Sequence, residues 1–143
     1  MRTVKANSIR LAILTIILHA VVSSLHGAAH QNLGVRLSQF QVLFIAVVIT
    51  IAPVVAGVLL WKGFLKIGAA LLVCSMAASL IFGVYNHFVE ISPDHVSHLE
   101  VTSKSIWVWI FQSSAVIIAV IEAFGTWVGV QMLIRSRAAM RFQ

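Results

Sequence analysis

The sequence predicts an all-α integral membrane protein, an antiparallel four-helix transmembrane bundle with a short amphipathic outer helix between spans 3 and 4. Composition is the first reason: 60% of the 143 residues are hydrophobic, 10% are charged, and the mean hydropathy is +1.00. Soluble domains average about 25% charged residues. The second reason is that the apolar residues fall into four long runs joined by short loops. We therefore expect residues 1–143 to form a single four-span membrane domain.

The four apolar runs define the predicted spans. They cover approximately residues 8–30, 38–61, 64–88 and 105–134. Each has at least the roughly 20 residues that a helix needs to cross a hydrocarbon core about 30 Å thick. Pro53 lies inside the second span, where it removes one backbone donor and loosens the hydrogen-bond ladder locally.

The outer helix is predicted from the loop between spans 3 and 4. Ser92, Pro93 and Asp94 have the order of an N-cap residue, a first-turn proline and a first-turn acid. A short amphipathic helix starting there would carry His95 and His98 on one face, because residues three apart are neighbours on a helix surface.

Charge predicts the orientation in the membrane. Eight of the ten basic residues flank the spans on one side, namely Arg2, Lys5, Arg10, Lys62, Lys66, Arg135, Arg137 and Arg141. The positive-inside rule therefore predicts cytoplasmic N and C termini. The net charge of +6 is thus explained by topology and contact with lipid head groups. We expect the lipid bilayer as a partner and no nucleic acid.

Stripes of small residues predict which helix faces pack together. Ser75, Ser79 and Gly83 recur every four residues in the third span, as do Ala115, Ala119 and Ala123 in the fourth, where a GxxxG motif follows at 125–129. Helices in lipid associate through such faces. One further step of four along the third-span stripe reaches His87, whose side chain we therefore expect to point into the bundle.

Five of the six histidines lie on the predicted extracytoplasmic side. His26 and His30 are four residues apart on one helix face, a spacing that lets two imidazoles hold one ion. His87 ends the third span at the same level. We predict that these three residues are metal ligands and that His95, His98 and Asp94 close the site. Glu90 and Glu100 are weaker candidates.

The ligand set favours copper or zinc. Imidazole suits both ions, and Cys74 is the only cysteine, so a thiolate cluster is excluded. Haem is less favoured, because only His19 or His26 opposite His87 offers an axial pair. Two further interpretations remain open: a pH response of the imidazoles, and histidines that are simply solvated at the membrane interface.

A buried polar pair is predicted separately. His19 lies near the middle of the first span, and Glu122 lies near the middle of the fourth. Ionisable side chains at that depth normally face the bundle and pair with each other. We expect a hydrogen bond between them that fixes helix register, and we favour this over a proton relay through Gln112, Ser113 and Ser114.

The sequence thus predicts a small polytopic membrane protein with an extracytoplasmic histidine-rich metal site. We expect a metal-binding accessory factor or a subunit of a larger membrane complex, with protein partners or a homo-oligomer in the membrane. A structural or assembly subunit without a metal or catalytic site is one alternative.

A membrane metalloenzyme is the other alternative. The histidine pairs at 26–30 and 95–98 superficially resemble the HxxxH and HxxH spacings of membrane fatty-acid desaturases and hydroxylases. Those enzymes use more histidines and place the site on the cytoplasmic side, so their function is not carried over. No phosphate-binding loop or nucleophile elbow is present in the sequence.

Overall fold

The computed structural model describes residues 2–97 and 105–140, with side chains described for residues 6–97 and 105–136. The described chain is helical. The α-helices are α1 (Arg2–Leu33), α2 (Gln39–Phe44), α3 (Ala52–Trp61), α4 (Leu65–Val84) and α5 (Ile106–Met140). Two π-helical segments interrupt this order, the first at Ile45–Ile51 and the second at Tyr85–Val89.

The prediction of four apolar helices is confirmed. Helices long and apolar enough to cross a membrane run over Ala6–Leu33, Gln39–Trp61, Leu65–Val89 and Ile106–Ser136, and we call them spans 1 to 4. They start and end within a few residues of the predicted limits. The chain is therefore an integral membrane protein whose exposed apolar side chains, Leu14, Ile81 and Val120 among them, can contact lipid.

Span 2 is irregular because of Pro53. A proline cannot donate to the carbonyl four residues before it, so the α-helical ladder fails there. The first π segment fills the gap, and the Ala52 N–H bonds to the Val47 carbonyl five residues earlier. The N-terminal end of the span is held by Ser38, whose side chain accepts from the Gln41 N–H while the Gln41 side chain accepts from the Ser38 N–H.

The apolar core lies where α1 begins, α3 ends, α4 begins and α5 ends. It consists of Ala12, Ile16, Ala56, Leu60, Ala69, Leu72, Met76, Val128 and Met132. Arg135 Nη1 also donates to Ser8 Oγ at 3.2 Å, which links the beginning of α1 to the end of α5. Most basic residues of the sequence flank the spans at this end.

The GxxxG motif of α5 makes the close approach for which such motifs are known. A Cβ placed on Gly129 would come within 2.6 Å of Val73 Cγ2 and 3.2 Å of the Ala69 carbonyl oxygen. A Cβ on Gly125 would lie 3.0 Å from Met76 Cγ. At both positions the backbone of α5 rests directly on α4, so no larger residue fits without displacement.

The loop after span 3 folds back onto the bundle. Residues 91–97 form turns and bends, so no helix begins at Ser92 within that described stretch, and residues 98–104 lie outside the described residues. The Ser92 carbonyl accepts from the His95 N–H at 3.0 Å, which closes a turn instead. Val96 is held on both sides, since its N–H bonds to the His87 carbonyl and its own carbonyl accepts from Gln112 Nε2.

Candidate metal centre

Three histidine side chains from two spans meet at the end of the bundle opposite the apolar core. His26 Nε2 lies 3.1 Å from His30 Nε2 and 3.2 Å from His87 Nε2. One ligand atom from each residue lies within 4.8 Å of the other two. Two nitrogen ligands of a tetrahedral zinc ion are about 3.3 Å apart, because each Zn–N distance is about 2.0 Å. The separations measured from His26 are therefore short enough for these imidazoles to share one ion.

Local structure brings the three rings together. His26 and His30 lie one turn apart in the last turns of α1, so both side chains leave the same helix face. His87 lies in the second π segment, which the Glu90 N–H closes by bonding to the Tyr85 carbonyl. Such π segments are rare and are frequent at functional sites, because they turn side chains away from their α-helical directions.

Hydrogen bonds to the far side of two rings define where their protons lie. Ser114 Oγ gives its hydrogen to the backbone carbonyls of Ile110 and Phe111, so it accepts from His26 Nδ1, 2.8 Å away. His87 Nδ1 lies 3.0 Å from the Asp94 carbonyl oxygen, which can only accept. Both rings therefore carry their proton on Nδ1, and each Nε2 presents a lone pair.

The consequence is an electrostatic conflict between His26 and His87. Two Nε2 lone pairs that face each other at 3.2 Å repel unless a positive species lies between them. A shared proton would relieve the repulsion between one pair of nitrogens, whereas a metal ion could bind all three. His30 Nδ1 is buried without a hydrogen-bond partner among the described residues, so no such contact fixes the position of the His30 proton.

Asp94 reaches the cluster from the docked loop. Its buried Oδ1 lies 3.3 Å from His30 Nε2 and 3.2 Å from His87 Nδ1. That oxygen has no hydrogen bond of good geometry among the described residues. Asp94 therefore orients His87 through its backbone carbonyl and leaves a carboxylate oxygen beside His30 Nε2, where it can act as a fourth ligand or as an outer-shell partner.

Phe111 packs against all three imidazoles. Its ring centroid lies 4.8 Å from that of His26, 4.9 Å from that of His30 and 5.5 Å from that of His87, and the side chain is fully buried. Aromatic packing of this kind restricts ring rotation. Sequence reasoning missed Phe111, although continuing the stripe of Ala115 and Ala119 one turn towards the start of α5 reaches it.

A cavity of about 330 Å³ lies beside the cluster. His26, His30, His87 and Asp94 line one end of it, and Ser79 and Glu122 line the other. Its walls are mainly apolar side chains of span 2, span 3 and α5. The same small residues that predicted helix packing, Gly83, Ala115 and Ala119, line this cavity.

His19 and Glu122 form a contact deep in the bundle. His19 Nε2 lies 3.2 Å from Glu122 Oε1, and both side chains are at most 2% exposed. Ser23 Oγ lies 3.5 Å from the same His19 nitrogen. One polar contact thus links spans 1 and 4 below the histidine cluster.

The remaining predicted ligands fall outside this group. His95 Nδ1 accepts from the Ser97 N–H, and His95 is not among the three histidines that meet. Glu90 Oε2 instead accepts from the Tyr85 hydroxyl at 2.6 Å. His98 and Glu100 lie outside the described residues.

No protein-family model, curated protein or solved structure matches the chain. Its function is therefore inferred from the chemistry of its own side chains.

Proposed function

We propose that this membrane protein binds a transition-metal ion, copper or zinc, through His26, His30 and His87. Asp94 supplies a fourth ligand or holds His87, and His95 lies in the adjoining loop. The protein acts as a metal-binding accessory factor or as a subunit of a larger membrane complex. The contacts of the spans support an antiparallel arrangement, since the end of α1 and the end of span 3 meet near the start of α5.

The observation that carries the proposal is the pair of facing lone pairs on His26 and His87. Their Nδ1 atoms are both committed to acceptors, so neither ring can relieve the repulsion by moving its own proton. In metal sites the ligand histidine usually donates its second N–H to a carbonyl, carboxylate or similar acceptor, which orients the ring. Ser114 and the Asp94 carbonyl supply such acceptors here.

The type of ligand narrows the choice of metal. Three imidazoles without a thiolate suit zinc or copper, and Cys74 is exposed on span 3, away from the cluster's buried rings. Haem fits poorly, because two axial nitrogens on opposite sides of one iron are about 4 Å apart at Fe–N distances near 2.0 Å, comparable to those of zinc. The 3.2 Å between His26 and His87 is that of neighbouring ligands on one ion.

A metalloenzyme is the second candidate, and one observation favours it. All three histidines line the 330 Å³ cavity. A centre with three protein ligands and an open position is typical of catalytic zinc sites, whereas structural sites are closed by four. Closure by Asp94 would favour the accessory or structural role, and an open position beside the cavity would favour catalysis.

Metal analysis tests the proposal directly. The full chain is purified with a tag that contains no histidine and without chelator, and is then loaded with Zn²⁺ or Cu²⁺ and dialysed. We expect a single ion per chain in the wild type and in His95→Ala, and none in His26→Ala or His87→Ala. Equal metal content in wild type and His87→Ala would refute the site, as would absorbance in the Soret region that disappears in that variant.

Sidedness is tested by labelling. Charge supports an extracytoplasmic histidine cluster, because eight of the ten basic residues flank the opposite ends of the spans. A cysteine introduced as Ser92→Cys in a Cys74→Ser background should react with a membrane-impermeant maleimide in intact cells. Labelling that requires permeabilised cells would reverse the proposed orientation.

A further inference from the structure

The cavity beside the histidines has a second polar end that the metal proposal does not use. Along α1 it extends from Ser23 to Gln31, eight residues or about 12 Å at the rise of an α-helix. The histidine cluster lies towards one end. Ser79 and Glu122 lie at the other, nearer the middle of the bilayer.

Both groups at the deep end have unused hydrogen-bonding capacity. Ser79 is fully buried, and its Oγ has no hydrogen-bond partner within the described residues. Glu122 Oε1 is occupied by His19, while Oε2 faces Gly83, 3.9 Å from where a Cβ would be. No hydrogen bond to Oε2 is found in the described part of the chain. A fully buried hydroxyl without a partner requires one, and Glu122, which lines the same cavity, offers an acceptor.

The space between the two polar ends is apolar. Val42, Ile45 and Ile49 of span 2 face Phe82 of span 3 and Ile118 of α5 across it. An ionic or strongly hydrated ligand would lose its water along this path without compensation. A hydrocarbon chain would instead replace lipid contacts with protein contacts.

The wall formed by span 2 separates the cavity from the bilayer. None of the residues in α2 or in the first π segment is buried. Phe40, Leu43 and Val47 are exposed on the outside of this wall. Elements with few buried contacts open at low cost. A molecule dissolved in the bilayer therefore has a short route into the cavity.

We propose that the cavity binds a lipophilic alcohol taken from the bilayer. Its uncharged hydroxyl donates to Glu122 Oε2 and accepts from Ser79 Oγ, and its chain lies along Ile45, Ile49 and Phe82. A hydroxyl is the head group that satisfies one acceptor and one donor together. A carboxylate head would place a second acid beside Glu122. This site is independent of the metal ion and is tested on metal-free protein.

The probe is a decanol that carries a photoreactive diazirine on its chain. The full chain is reconstituted in phosphatidylcholine nanodiscs, irradiated at increasing mole fractions of probe, and mapped by mass spectrometry. We expect saturable labelling on the residues that face the cavity in span 2 and α5. Excess 1-decanol should compete, whereas decyl methyl ether, which cannot donate, and decanoic acid should compete at least several times more weakly.

Two pairs of variants separate the hydroxyl contact from general folding. Ser79→Ala should weaken labelling about fivefold, as expected for loss of one hydrogen bond. Ser75→Ala is its control, since Ser75 Oγ already donates to the Leu72 carbonyl one turn away. Ala119→Leu should fill the cavity and abolish labelling, whereas Ala123→Leu adds the same side chain on an exposed face.

The outcomes are distinct from those of the metal analysis. Labelling that rises linearly with probe, or that is unchanged in both Ser79→Ala and Ala119→Leu, would overturn the proposal and leave water as the partner of Ser79 and Glu122. Preference for decanoic acid over decanol would also overturn it. Neither result affects the metal content of the wild type, which is measured separately.

Discussion

The two ends of this helix bundle differ in the side chains that lie between the helices. At the end where the termini lie, Leu60, Leu72 and Met76 fill the space between the spans and form an apolar core. We call this the packed half. At the other end, the buried side chains include His26, His30, Ser79, Asn86, Asp94 and Ser114, and a cavity lies among them. We call this the polar half.

Small residues lie between the helices in both halves, but they allow a close contact in one and line a cavity in the other. In the packed half, Gly129 lets α5 rest on Val73, and a methyl group there would collide with it. In the polar half, Gly83, Ala115 and Ala119 line empty space. Small side chains permit close approach, but whether the helices close or leave a cavity depends on what surrounds them.

The largest difference between the halves should appear when metal binds. Zn²⁺ at about one hundred times its dissociation constant should raise the free energy of unfolding by about 2.7 kcal/mol, because it binds only the folded site. Hydrogen exchange through local opening should slow in residues 85–97, whereas residues 65–76 should slow only where they exchange through global unfolding. His87→Ala should remove both effects. Uniform slowing along the chain would show that the halves are not energetically distinct.

Glycine substitutions compare the halves directly. Gly129→Ala should destabilise the protein by about 2 kcal/mol, a typical cost of overpacking. Gly83→Ala should cost nothing measurable, since its Cβ would meet only Glu122 Oε2 at 3.9 Å. Thermal unfolding of both variants in the same detergent measures the difference. Equal losses of stability would mean that Gly83, like Gly129, lies in a tight contact.

A substitution at Ser114 tests whether its contact with His26 orients that imidazole for metal binding. Ser114→Ala removes the acceptor of His26 Nδ1 and should weaken metal binding about tenfold, the lower end of the effect expected for an outer-shell partner. Ser113→Ala is a matched control, because Ser113 is exposed and donates to the Trp109 carbonyl. Competitive titration against a chelating dye gives both affinities. An unchanged affinity in Ser114→Ala would place the His26 proton on the other nitrogen.

A small coupling is expected between the halves, at His19 and Glu122. A double-mutant cycle of His19→Phe and Glu122→Gln should give a coupling energy of about 0.6 kcal/mol, the average for hydrogen bonds between membrane helices. Stability to sodium dodecyl sulfate measures each variant. Additive effects of the two substitutions would remove the interaction as a determinant of helix register.

Acid should weaken metal binding in the polar half. Metal ligation requires neutral imidazoles, so protons and metal compete for the same nitrogens. Affinity for Zn²⁺ should therefore fall as the pH is lowered. Isothermal titration at several pH values checks this. A pH-independent affinity would exclude histidine ligation.

Sequence periodicity was sufficient to predict the spans and much of the cluster. Hydropathy sets where a helix can cross a bilayer, and spacing by four sets which residues share a face, so His26, His30 and the inward direction of His87 could be predicted. The role of Ser114 could not, because it depends on which carbonyls take its hydrogen. The turn at residues 91–97 departs from the predicted helix because its backbone groups bond to His87 and Gln112.

The sequence by itself determined a membrane protein of four apolar helices with histidines at matching depths, because length, hydropathy and helical periodicity are local properties. Tertiary structure alone decided that the Asp94 backbone carbonyl holds His87 and that Phe111 packs against three rings. It also decided that Gly125 and Gly129 make close contacts, while Gly83 and Ala119 line a cavity. These outcomes depend on contacts between distant segments, and a backbone carbonyl or an empty volume has no signature in the order of residues.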